Sequence, residues 1–291
     1  MLNQQTSTDN WKILRYPAAE ELEVVRYQFH QAIQNVGSIG RSFLPDDPSD
    51  VTANLEWDSK LQRLAGRWIE GDEVFRSSFS LSDFSVLLVD ELYNTISSIS
   101  LQAKKQTDVM IWLEEQIAEL GLKSSDISLK LPYTIPEYPT AKREAFNEVN
   151  PMAAQELEAW FHNTDLVLKR ITAEIDGASE VRCWPHHFDI ASLITLVDTG
   201  DAETSKSINI GMSPGDGNYN EPYFYVSPWP YPVSELPDIS PTGGFWHEEN
   251  WIGAILRASD MSHLKTAKDQ QDAVVDFLDK NIKTLKGLLG E

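Results

Sequence analysis

Apolar positions recur at steps of three and four from Leu22 through Val25, Phe29, Ile33, Val36, Gly40 and Phe43, which predicts one long helix with a single buried stripe. Pro17 is placed to open it, Glu20, Glu21 and Glu23 suit the positive end of its dipole, and Pro45 and Pro48 stop it. The same period returns over 104–121, where Val109, Trp112, Leu113, Ile117 and Leu120 share a face and Gly121 is the stop. It returns again over 151–175, with Leu157, Trp160, Phe161, Leu168, Ile171 and Ile175, and over 268–288, with Val274, Leu278, Ile282 and Leu285.

Between the helices the texture is that of short strands. Apolar segments at 51–57, 62–69, 73–80 and 84–100, broken at Asp58-Ser59 and Glu70-Gly71-Asp72, predict an antiparallel meander, with a partly helical reading left open for 84–101. A further strand is expected over Ile127–Leu131, several more over 182–230, and a hairpin over Gly243–Leu256 turning at Glu248-Glu249-Asn250. The order is helix, sheet, helix, twice. That order predicts an α+β fold, largely antiparallel sheet covered by long helices, and fits either two similar halves or one compact domain. The halves would be 11–131 and 140–291, after a disordered tail at 1–10 and on either side of an extended connector, the proline-spaced 132–139.

Charge narrows the partners. With 45 acidic and 24 basic residues the net charge is −21, which repels phosphate backbones and anionic lipid, and no Lys/Arg cluster interrupts it. The sequence therefore predicts no nucleic acid and no membrane as partners; a solvated acidic surface is the plain reading and a cationic partner the sharper one. The single cysteine, Cys183, rules out an internal disulfide framework. No apolar leader segment precedes residue 10 and no apolar run has the length of a membrane span, so the expected location is the cytoplasm.

The unusual chemistry lies between Arg182 and Trp229. If 187–197 is one strand, His187 and Asp189 are neighbours on one face, and the carboxylate can orient the imidazole as a general base; the plain alternative has Asp189 binding backbone amides and His187 at the surface. His186, His187 and His247 are the candidate metal ligands, although adjacent histidines on a regular strand point to opposite faces and reach one ion only if Pro185 forces a bulge. His247-Glu248-Glu249 lacks the second histidine of a His-Glu-x-x-His site, because Trp251 stands in its place. Gly211-Met212-Ser213-Pro214-Gly215 has the letters of a nucleophile elbow, but Pro214 removes an amide the oxyanion hole requires, so a turn is expected. Gly215-Asp216-Gly217-Asn218 lacks the acidic spacing of a calcium loop and reads as a hairpin connection. Cys183 beside Arg182 reads as a buried thiol rather than a reactive one. Tyr223, Tyr225 and Trp229 alternate to one strand face with Phe224 and Val226 on the other. The aromatic face, joined by Trp184 and Asn209, would wall a small-ligand site; the plain alternative packs the tyrosines under the long helices with their hydroxyls at the surface.

Trp184-Pro185-His186-His187-Phe188-Asp189-Ile190-Ala191, with Asn209-Ile210-Gly211, Glu221-Pro222-Tyr223-Phe224-Tyr225 and Trp229-Pro230-Tyr231-Pro232, resembles an uncharacterised bacterial family, a domain of unknown function. Phe29-His30-Gln31 and Val36-Gly37-Ser38-Ile39-Gly40-Arg41 are similar to its first-helix signature, and Gly244 to Leu288 follow its order. The resemblance spans nearly the whole chain and implies no assigned activity. It also implies that the positions of His186 and His187 often carry glycine and serine while Phe188-Asp189 persists, which speaks against a family-wide metal site.

The function expected from the sequence is binding of a small molecule in an aromatic, histidine-lined cleft built from 182–257, with no resident cofactor. Two alternatives stand beside it: a hydrolase using a His187-Asp189 base or a divalent metal, and an acidic module that meets a basic protein.

Overall fold

A computed structural model describes residues 10–16, 19–47, 49–138 and 144–290. The tail expected over 1–10 lies, apart from Asn10, outside the described residues, as do Pro17, Pro48 and Pro139. The fold is α+β, with two antiparallel sheets and long helices. The chain divides into two compact units. One takes the described residues of 17–158 together with 182–189; the other takes 10–16, 159–181 and 190–290.

The first, the α1 unit, opens with helix α1 (Ala19–Phe43). Six strands follow: β1 (Glu56–Asp58), β2 (Arg63–Ala65), β3 (Ile69–Glu70), β4 (Val74–Ser80), β5 (Ser85–Asp90) and β6 (Thr95–Ser100). They form the expected meander in the order β1-β2-β4-β5-β6, with β3 on β4. The segment 84–101, for which a helix stayed open, is a hairpin. Asp90 makes its turn: its carboxylate accepts the amides of Leu92 and Asn94 and the side-chain amide of Asn94. Helix α2 (Gln106–Glu119) buries Val109, Leu113 and Ile117.

The face of this sheet that carries Phe79 packs on α1, where Phe29 meets Phe79 at 5.1 Å and Phe84 at 5.6 Å, and the Ser77 hydroxyl donates to the Val36 carbonyl. Two glycines allow the close approach of α1 to the segment ahead of β1: a Cβ at Gly40 would lie 2.0 Å from the Thr52 oxygen, and one at Gly37 2.9 Å from the Ala53 oxygen. The strand expected at 127–131 does not form; the turn Ser124–Asp126 precedes an irregular stretch. Its amides find side chains instead of a ladder: Ser128 N–H donates to the Ser42 hydroxyl and Lys130 N–H to the Ser128 hydroxyl. Strand β7 (Arg182–Trp184) returns to this unit, Leu55 and Cys183 exchanging backbone bonds of 2.9 and 2.7 Å.

Helix α3 (Pro151–Thr172) runs from one unit into the other. The second, the α5 unit, contains β8 (Asp189–Val197) from Ile190 onward, β9 (Lys206–Ser213), β10 (Tyr223–Trp229), β11 (Phe245–His247) and β12 (Gly253–Arg257), in the order β11-β12-β10-β9-β8, all antiparallel. A short helix α4 (Ala258–Met261) precedes α5 (Ala267–Leu289), whose Thr266 cap accepts the Asp269 amide and whose end is Gly290 in the left-handed region. Val274, Phe277, Leu278, Ile282 and Leu285 of α5 are buried, as are Trp160 of α3 and Phe224, and these two rings lie 5.5 Å apart. The side chain of Gln270 ties residues 11–14 down: its carbonyl accepts Trp11 Nε1–H and Leu14 N–H, and its amide donates back to Leu14 O. The connection at 214–222 is a hairpin loop in which Asp216 accepts the amides of Asn218 and Tyr219, as its Gly-Asp-Gly-Asn sequence predicts.

Candidate functional site

Every residue of α1 from Gln28 to Gly40 is buried, although Gln28, His30, Gln31, Gln34, Asn35 and Ser38 are polar. Within the α1 unit two of these meet the segment after β7. His30 Nε2 lies 2.8 Å from the carbonyl of Pro185, and Gln34 Nε2 donates to the same oxygen at 2.8 Å. A carbonyl can only accept, so the proton of His30 sits on Nε2 and Nδ1 accepts from the Tyr138 hydroxyl at 3.0 Å. Burial pushes the imidazole down to a pKa of about 4, offset in part by the Pro185 bond, so the ring is neutral with both nitrogens satisfied. His30 is thus a clamp. The network continues outward: the Tyr133 hydroxyl donates to Gln34 Oε1 and accepts from Arg41 Nη2, each at 3.0 Å, and Arg41 forms a two-bond pair with Asp50 at 2.8 and 2.7 Å. Burial raises the Tyr133 phenol to about 12, so it stays protonated and can serve that donor role.

The clamped segment is a turn, which corrects the strand expected from 187. Residues 185–188 turn between β7 and β8, with the amides of His187 and Phe188 both donating to Trp184 O. Phe188 takes φ +59°, outside the extended region of a regular strand, and its buried ring lies on His30. The physical reason is Pro185: it has no amide to give a ladder, and its carbonyl is taken by α1. As a result His187 and Asp189 are not strand neighbours, and among the described residues no hydrogen bond joins the His187 imidazole to Asp189.

The turn does what a strand could not: it places the rings of His186 and His187 side by side, centroids 4.3 Å apart. His186 is half-buried, with the Tyr133 ring at 5.5 Å and the Trp184 ring edge-on at 5.8 Å; His187 is exposed. Burial first, and then the neighbouring His187, lower the His186 pKa, so that ring is neutral at neutral pH. Among the described residues neither imidazole makes a hydrogen bond to the protein. Asp189 is buried at the start of β8.

The remaining sequence candidates lie in the α5 unit, on the sheet face away from Phe224. Tyr223, Tyr225 and Trp229 of β10 do share that face, with Asn209 opposite Ser227 on β9. Tyr223 and Tyr225 are, however, buried within an aromatic layer. The Tyr223 hydroxyl donates to Asp216 at 2.6 Å, Tyr219 meets Tyr223 at 5.1 Å, and Trp251 stands edge-on to Tyr225 at 6.5 Å. Trp229 Nε1–H donates to Ala202 O beside Tyr231, and Asn209 is half-buried. His247 has both nitrogens engaged, Nε2 at 2.7 Å from Glu249 O and Nδ1 at 2.8 Å from the Tyr219 hydroxyl, with Trp251 against its ring. Among the described residues no three His, Cys, Asp or Glu side chains gather so that they could hold a metal ion. Cys183 is buried beside Leu55, and burial pushes its thiol well up. No helix among the described residues is long and apolar enough to cross a membrane.

Sequence reasoning missed His30, Gln34, Arg41, Tyr133 and Tyr138 as parts of a site. One signal was there: from Tyr27 to Gly40 the chain carries no charged residue, whereas the wet face of a long helix normally carries lysine and glutamate.

No curated protein and no solved structure matches the chain. One family model does, over residues 17–285, and the chain accordingly belongs to that family, a family of unknown function (DUF5996).

Proposed function

We propose that the α1 unit binds a small, uncharged polar molecule at the paired imidazoles of His186 and His187. What supports this reading is one contrast: the turn carrying them is tied down by His30, Gln34 and Phe188, while the two rings it presents spend no hydrogen bond on the protein among the described residues. Preorganised groups with unused hydrogen-bonding capacity bind without a further ordering cost. A neutral imidazole offers one donor and one acceptor, and the Trp184 and Tyr133 rings supply apolar contact beside His186. Arg41 is already matched by Asp50, and the chain carries −21 overall, so an anion gains little here.

A thermal-shift screen of neutral amides and flat heteroaromatic fragments tests the reading, run in parallel on the parent and on the double variant His186→Ala, His187→Ala. Ligand at a hundred times its Kd adds about 2.7 kcal/mol of stability. Hits should raise the Tm of the parent by several degrees and leave the double variant unmoved. Equal shifts in both proteins would place binding elsewhere.

A further inference from the structure

The sheet of the α1 unit has a second face, away from α1. Glu56, Asp58 and Arg76 point to it, because Trp57, Leu64 and Phe79 occupy the opposite side in register. At this face Trp68, between β2 and β3, and Tyr93, in the β5–β6 turn, stand nearly perpendicular, at 84° with centroids 6.3 Å apart, and are 38% and 36% exposed. Both rings are already used as cation surfaces. The buried Arg76 guanidinium lies 4.5 Å from the Trp68 ring and 5.5 Å from the Tyr93 ring while paired with Glu56 and Asp58. The Lys60 ammonium lies 4.0 Å above Tyr93.

We propose that the Trp68–Tyr93 face docks a cationic side chain of a basic partner protein, and that Lys60 holds the position that side chain takes. Lys60 is exposed on the β1–β2 turn, and among the described residues its ammonium has no ion pair, so the Tyr93 ring is its only charge partner there. A lysine on a flexible stem is readily displaced by a cation that brings further contacts. The receiving ring is fixed in advance: Tyr93 takes φ +67° and donates its amide to Asp90 O, in the turn that the Asp90 carboxylate also braces. Leu92, in the same turn as Tyr93, and Ile96 of β6 are 79% and 39% exposed, apolar surface of the kind that suits the methylene stems of lysine or arginine. The Glu56 carboxylate is already shared by Arg76 and Arg182, so the charge match to a positive partner rests on the chain's net charge of −21.

The test is a titration of the whole chain with a capped peptide of alternating glycine and lysine at physiological ionic strength. It is read on the indole N–H resonance of Trp68, assigned by its disappearance in Trp68→Phe. The resonance should shift saturably, Lys60→Ala should bind several-fold more tightly, and Tyr93→Ala should bind at least tenfold more weakly. Lys123→Ala removes the same charge from an exposed site paired with Asp126, and should change nothing. An unmoved Trp68 resonance overturns the proposal. So does an equal gain in Lys60→Ala and Lys123→Ala, which means general attraction to an acidic surface. A concentration-dependent dimer abolished by Tyr93→Ala, without any peptide effect, overturns it too and assigns the face to a second copy.

Discussion

The imidazole of His30 lies flat against the ring of Phe188, centroids 5.7 Å apart and planes 16° from parallel. Phe188 is a bulky residue at φ +59°, a conformation that costs on the order of 1–3 kcal/mol and persists only where its surroundings enforce it. His30 supplies that enforcement twice, through the ring contact and through the bond from Nε2–H to Pro185 O. Helix α1 thereby sets the geometry of the turn, and the turn sets the pairing of His186 with His187.

His30 makes stability depend on acid in a definite window. Its folded pKa is about 4 against an ordinary 6.5, so between these values the unfolded chain takes up a proton that the folded chain refuses. The contribution is flat above pH 6.5, is lost progressively as the pH falls through the window, and levels off below about 4. The full loss is about 3 kcal/mol. Urea unfolding at a series of pH values should show this slope in the parent, and His30→Gln should flatten it, with the acidic residues contributing equally to both curves.

Gly40→Ala should destabilise by about 1–3 kcal/mol or more. Its Cβ would stand 2.0 Å from the Thr52 oxygen, a backbone atom that cannot rotate away. Gly37→Ala acts more gently, at 2.9 Å from the Ala53 oxygen and 3.3 Å from Pro185 Cγ. Its distinguishing effect should be on the turn: chemical shifts of the His186 and His187 rings move in Gly37→Ala at a pH where the fold is intact. Unchanged shifts would separate the turn from α1.

In the α5 unit, Gly211 is the seat of Tyr225. A Cβ there would meet the tyrosine hydroxyl at 2.5 Å and the Ile190 oxygen at 2.8 Å. Gly211→Ala should therefore cost about 1–3 kcal/mol, and part of that cost should vanish in a Tyr225→Leu background. A double-mutant cycle by denaturant unfolding reads the coupling. Strict additivity would mean that the clash with the Ile190 backbone is the whole effect.

Cys183 is fully buried with its thiol pKa raised, so the thiolate is scarce and out of reach. An aromatic disulfide reagent at pH 8 should label it only at the rate of global unfolding. Rapid labelling of the native chain would show that β7 opens on its own.

Most of the scaffold was legible because its signals are periodic. The stripe of Leu22, Val25, Phe29, Ile33 and Val36 predicts α1, the spacing of Val274, Leu278, Ile282 and Leu285 predicts α5, and the breakers at Asp58 and Glu70 to Asp72 mark out the meander. Alternation likewise separates Phe224 and Val226 from Tyr223 and Tyr225. Two kinds of feature escaped. One is the all-round burial of α1: Gln34 and Asn35 are polar letters, and their partners, Pro185 O and the Tyr133 hydroxyl for Gln34, Ala32 O and the Gln106 amide for Asn35, explain why they lie inside. The other is the turn at 185–188, which rests on a contact between residues far apart in sequence; read locally, His187-Phe188-Asp189 continues into a β-strand. Alternation puts Tyr223 and Tyr225 on one face but does not say what lies against that face, here Tyr219 and Trp251.

The most direct test of the account is a spectrum of the histidine ring nitrogens, recorded on the parent with and without a fragment hit, each of the six histidines assigned by substitution. Binding should move the rings of His186 and His187 together, leave His247 in the α5 unit unmoved, and keep His30 in its neutral form with the proton on Nε2. A hit that moves His247 and leaves the 186–187 pair untouched would contradict the account and put the ligand against the aromatic layer of Tyr219, Tyr223 and Trp251.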